Sequence, residues 1–182
     1  MKSPILASFL LGFAVLGAGL LDGCATTPAQ TAQSARVQVD WTDPQQFADV
    51  RDSPASSPAR RNPEEWLQTL ARWLQGRAER ALPPGEHLEV TFTDIKRAGS
   101  FEPWRSPQWA DIRVIKDIYP PRIDLRFTLT DANGRTLSAG ERKLTDLAFL
   151  ARGTINTDDP LRYEKRMLGD WLRKEFGATS AD

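Results

Sequence analysis

Histidine and cysteine occur once each in this chain of 182 residues, tyrosine and methionine only twice. Zinc sites draw on several His or Cys ligands and a thiol catalyst needs a partnered base, so neither chemistry is expected. The single imidazole, His87, lies in "PPGEHLEV" at the entry to a strand pattern, and no Ser or Cys nucleophile motif points toward it. It reads as a solvated strand-end residue rather than a general base. Net charge is missing too: 24 basic and 24 acidic residues cancel. A nucleic-acid-binding domain carries a basic balance, so nucleic acid is not an expected partner. No catalytic, metal-ligand or nucleotide-binding motif stands out, and no enzyme activity or cofactor is expected. The length suits one domain with appendages, enough chain to enclose a core.

The N-terminal 30 residues carry an address. Lys2 precedes an uncharged apolar run from Ile5 to Leu21, the pattern of an export signal over residues 1–23. "LDGC" at 21–24 resembles the lipobox of bacterial lipoproteins, with Leu21 three residues before Cys24 and Asp22 departing from the usual small or apolar residue. Lipidation of Cys24 is the expectation, with plain secretion after cleavage near Ala25 or Ala29, or an uncleaved anchor, as alternatives. A lone cysteine fits, because an exported disulfide needs a second one. Each buried methylene of an acyl chain contributes about 0.8 kcal/mol of membrane affinity. Ala25 resembles the residue that directs lipoproteins to the outer membrane, so the protein is expected to be periplasmic and anchored there. Residues 24–35 would be a polar tether that cannot build a core.

The rest, 36–177, reads as one domain followed by a tail at 178–182. "RVQVDW" alternates Val37, Val39 and Trp41 with polar residues, a half-buried strand. "TDPQQFADVRDSPASSPARR", with three prolines and several serines, reads as a surface loop. Asn62, Pro63, Glu64 and Glu65 then open a helix with apolar residues Trp66, Leu67, Leu70, Trp73, Leu74, Ala78 and Ala81 at three- and four-residue intervals. Two further strands follow: "HLEVTFTDI", and the cleanly alternating "RIDLRFTLT". A three-residue loop, Ala132-Asn133-Gly134, would return the chain with Leu129 opposite Leu137 and Phe127 opposite Ala139. Asp159, Pro160 and Gly177 bracket a last amphipathic helix. The order β-α-β-β-β-α implies an α+β two-layer sandwich, about four mostly antiparallel strands with two helices on one face.

One stretch follows neither period. "FEPWRSPQW" concentrates Phe101, Trp104 and Trp109 with two prolines and Arg105. In one reading the rings fold back over an end of the sheet. In the other, Trp104, Arg105, Trp109, Tyr119 and Arg122 form a binding surface whose rings and guanidinium forks suit an envelope protein, a glycan or a small anionic ligand. Glu102 and Asp111 are acids close enough in sequence to occupy the arginines, and a weaker alternative makes them the carboxylates of a glycan hydrolase. The expected function is therefore a non-catalytic envelope lipoprotein that binds or docks through this loop. A periplasmic glycan or small anionic ligand binder is the alternative, and the oligomeric state is open.

"TDIKRAGSFEPWRSPQWADIRVIKDIYPPRIDLRFTLTDANGRTL", with "VQVDW" and "DPQQFADVR" before it, resembles the proteobacterial family catalogued as domain of unknown function 3016 over roughly residues 36–150. The likeness implies a short exported protein and brings no catalytic residue.

Overall fold

The computed structural model describes residues 36–153 and 158–177, without the side chains of residues 58, 59 and 109. The proposed export signal, Cys24, the tether and the tail lie outside the described residues. The described residues group as one compact unit.

Strand β1 (Val37–Trp41) is followed by the short helices α1 (Ala48–Arg51) and α2 (Pro58–Arg61) and the long helix α3 (Pro63–Ala81). Next come β2 (His87–Lys96), the two-residue strands β3 (Ser100–Phe101) and β4 (Arg113–Val114), β5 (Arg122–Thr130), β6 (Thr136–Thr145) and helix α4 (Arg162–Phe176). The main sheet has the order β1-β2-β5-β6, parallel between β1 and β2 and antiparallel elsewhere, while β3 and β4 pair separately. The domain is α+β, with α3 and α4 packed on the sheet.

The apolar spacing of α3 puts Trp66, Leu67, Leu70, Leu74 and Ala78 into the core, against Val37, Leu88, Val90, Phe92, Leu125 and Phe127 of the strands and Leu168, Trp171 and Leu172 of α4. Each of the leucine, valine and phenylalanine side chains among them stabilises the fold by roughly 1.5–3 kcal/mol on burial. Pro63 opens α3 as expected, although the Asn62 side chain caps no backbone N–H and faces Glu65 instead. Helix α4 starts two residues later than Pro160, after a turn in which the Asp159 carboxylate accepts from the Leu161 N–H at 2.8 Å. Gly177 ends it at φ +62°, the left-handed position that favours glycine.

Two expectations need correction. The Pro/Ser-rich stretch 42–61 is not a surface loop: it folds into α1, α2 and a 3-10 turn, and it buries Phe47, Asp49 and Val50. The reason lies outside the stretch, since Asp94 of β2 accepts from the Ala48 N–H at 2.7 Å and Lys96 reaches Asp52 at 2.8 Å. The hairpin loop Ala132-Asn133-Gly134 does form, with Gly134 at φ +79° and the Asp131 N–H donating to the Arg135 carbonyl at 2.9 Å. Its register differs: Leu129 faces Ser138 and Phe127 faces Gly140. A bulge takes up Leu137, which is left exposed, and one extra residue moves every later side chain to the other face. The inward positions of β6 are then Ser138, Gly140, Arg142 and Leu144, with the Arg142 guanidinium 5.0 Å over the Phe127 ring and ion-paired to Glu175 at 2.6 Å.

Candidate functional site

Between β2 and β5 the chain makes a 25-residue excursion, 97–121, and its two ends are anchored differently. At the base, the backbone N–H and the Nε of Arg97 both donate to the fully buried Asp49 carboxylate, at 3.0 and 2.9 Å. Arg113 of β4 adds its Nη2 at 3.0 Å, and Ala98 donates its N–H to the equally buried Glu164 of α4 at 2.7 Å. The run Asp94, Lys96, Arg97 and Ala98 thus fastens β2 to α1 and α4. Each guanidinium also covers a ring, Arg97 over Trp66 at 4.6 Å and Arg113 over Phe101 at 4.8 Å. Burial pulls the Arg113 pKa down against the pull of Asp49, and burial pushes the Glu164 carboxyl up.

Farther out, Glu102 is the anchor. Its carboxylate is buried, accepts from Lys116 Nζ at 2.5 Å and Tyr119 OH at 3.0 Å, and has Arg105 Nη1 at 3.6 Å. The Lys116 bond holds the Glu102 carboxyl below its usual range, while burial and the bond to Glu102 push the Tyr119 hydroxyl up. Gly99, at φ +84°, donates its N–H to the Tyr119 carbonyl at 2.9 Å and closes the excursion at its neck.

The five residues singled out from sequence therefore part company. Arg105 and Tyr119 meet at Glu102, where they serve the loop's own structure. Trp104, next to them in the chain, is 72% exposed. Arg122 begins β5, exposed, opposite Lys96 and Thr145. The backbone of Trp109 ends a short 3-10 turn, and its side chain lies outside the described set. Phe101 is buried, so the segment divides between core and surface. Glu102 and Asp111 have separate partners, since Asp111 accepts from the Ser56 hydroxyl. Ile112 and Ile118 add exposed apolar surface to the same excursion.

A second feature went unnoticed in the sequence. A hollow of about 260 Å³ opens between α3 and the approach to α4, lined by Asn62, Glu65, Trp66, Thr69, Arg97 and Leu161. Its walls are mostly apolar, with the Arg97 guanidinium lying over the Trp66 ring. The signal available in sequence was the Asn62-to-Thr69 face of α3, but Arg97 joins it only through the fold. Among the described residues no group of His, Cys, Asp and Glu is arranged to hold a metal ion. No described helix is long and apolar enough to cross a membrane.

Residues 35–174 match the family described as Protein of unknown function (DUF3016), and the chain belongs to that family. The match runs past the final strand into α4, farther than the recognisable motifs. No curated protein and no solved structure matches.

Proposed function

We propose that this protein is a non-catalytic, exported lipoprotein of the bacterial envelope, held at the periplasmic face of the outer membrane by acyl chains on Cys24, whose domain docks onto an envelope partner through the segment 101–122. The observation that carries the reading is Trp104. An indole left 72% exposed gives up burial worth roughly 2–3 kcal/mol, and it does so on a loop fastened by Glu102 beneath it and by Arg113 and Asp49 at its base. A solvated aromatic on a braced loop meets a partner without the entropic cost of ordering that loop. Arg122, exposed at the foot of β5, supplies a guanidinium for a partner carboxylate.

The test combines Trp104→Ala with Arg122→Ala. The double variant is expected to unfold at the wild-type temperature and to lose an envelope protein that co-purifies with the wild type. Loss of the fold would make the segment core, and retention of the partner would move docking elsewhere. Incorporation of a labelled fatty acid, abolished by Cys24→Ser, tests the anchor.

The second reading, a glycan or small anionic ligand binder, is favoured by the hollow at Trp66 and Arg97, where a guanidinium stacked over an indole lines a mostly apolar concave wall. Titration of the protein with cell-wall fragments, read by a shift in melting temperature that Thr69→Trp abolishes, distinguishes it from docking at Trp104.

A further inference from the structure

Strand β6 is a terminal strand of the main sheet, ten residues long, and among the described residues no other backbone segment pairs with its outer edge. An open edge of this length is a template for another strand. Its centre reads Glu141-Arg142-Lys143, and the three charges differ in what they do. Arg142 points to the helix side and is matched by Glu175 at 2.8 and 2.6 Å. Glu141 and Lys143 lie on the opposite face, exposed, and neither side chain makes an ion pair or hydrogen bond among the described residues.

Charges on an edge strand commonly repel any incoming strand. This set does something more specific. Directly opposite residues of an antiparallel pair share face and hydrogen-bonding type, so a strand meeting its own copy can do so only about a residue that faces itself. Pairing about Glu141 or about Lys143 sets together two like charges that have no ion pair of their own among the described residues, whereas Arg142 is already matched by Glu175. Pairing about Gly140 leaves Glu141 and Lys143 opposite apolar residues. Pairing about Arg142 alone places Glu141 opposite Lys143 twice, once on each side of the symmetry axis. In that register Leu144 of the second copy falls opposite Gly140, the position without a side chain that faces Phe127. Phe127, Trp171 and Phe176 form an edge-on ring cluster there. The Arg142 guanidinium lies over the Phe127 ring beside Gly140, so the leucine would pack against that guanidinium at the rim of the ring cluster. The two Arg142 side chains meet on the helix side, each bringing its own Glu175.

We infer that β6 pairs antiparallel with β6 of a second copy about Arg142, joining two four-stranded sheets into one continuous sheet with the helices on a common side. The Arg142 Nη1 that now covers the Glu141 carbonyl at 2.9 Å would share that oxygen with an N–H of the second copy.

Sedimentation equilibrium of the full chain in a density-matched non-ionic detergent tests this directly. The wild type is expected to be a dimer. Glu141→Lys or Lys143→Glu alone turns both cross-copy pairs repulsive and is expected to weaken the dimer about tenfold. The double swap, Glu141→Lys with Lys143→Glu, is expected to restore it. Within the chain the same swap sets like charges against Arg126 and Asp124, the cross-strand neighbours, so the restored dimer should melt below the wild type. A monomer at every concentration, a dimer that single substitutions leave intact, or one that the double swap fails to restore would each refute the pairing.

Discussion

Arg113 and Asp49, separated by sixty-four residues, meet with the guanidinium Nη2 3.0 Å from both oxygens of a carboxylate that has no solvent exposure. This contact ties the aromatic excursion to α1, and Arg97 shares the same carboxylate. A buried ion network adds little net stability over apolar packing, but removing one partner strands the others. Asp49→Ala is therefore expected to cost about 3–5 kcal/mol in urea unfolding. Adding Arg113→Ala to it should cost less than the sum of the single losses, because the second change removes a charge the first left unmatched.

Glu164 sets a pH dependence of definite sign. Its folded-state pKa lies above the ordinary 4.5, because burial disfavours the carboxylate. The folded chain holds this proton more tightly than the unfolded chain, so the group's contribution is complete below 4.5 and is lost as pH rises through the folded value. Glu164→Gln keeps an acceptor for the Ala98 N–H and cannot ionise, and is expected to flatten that decline in unfolding measurements across a pH series. Glu102 has the reverse sign. Its pKa is lowered by Lys116, so its contribution is present above 4.5 and fades as pH falls through the folded value, and Glu102→Gln should remove that acid-side loss.

Gly99 is a point of no tolerance. At φ +84°, an added Cβ would stand 2.6 Å from Ile115 Cδ1 and 2.7 Å from the Val114 carbonyl oxygen. Gly99→Ala is expected to cost about 1–3 kcal/mol and to loosen β3 and β4, seen as faster amide exchange over residues 100–114 than in the sheet. Gly134→Ala has open space at its Cβ and carries only the positive-φ strain.

Two tryptophans should respond in opposite ways. Trp66 is buried in the core and lies under Arg97, so Trp66→Ala is expected to destabilise by about 3–5 kcal/mol. Trp104 is exposed, and Trp104→Ala is expected to change stability by about 0.5 kcal/mol or less. Thermal unfolding of the two variants side by side checks the contrast.

The regular elements were legible because their period is local. Ile123, Leu125, Phe127 and Leu129 alternate, and the α3 residues recur every three or four positions, so each element names its own buried face. The register of β6 was not, because period-two reasoning assumes unbroken pairing and Leu137 breaks it at the second residue of the strand. Asp49 was hidden for a different reason: its stretch looks like a linker, and its partners Arg97 and Arg113 lie far along the chain. The spacing of Phe47 and Val50 after Asp43-Pro44 was the one local sign of a short helix there. Within the excursion, composition could not separate Phe101, which is buried, from Trp104, which is not. That split depends on Glu102 turning inward to Lys116 and Tyr119.

The proposed docking through Trp104 faces its sharpest trial in cells, with a photo-crosslinking residue placed at position 104 and, as a control, at Asn133 on the exposed hairpin tip. Docking requires one discrete protein adduct from position 104, lost when Arg122→Ala is added, and none from position 133. Equal adducts from both positions, or none from 104 while the protein is folded and exported, would mean that Trp104 contacts no partner.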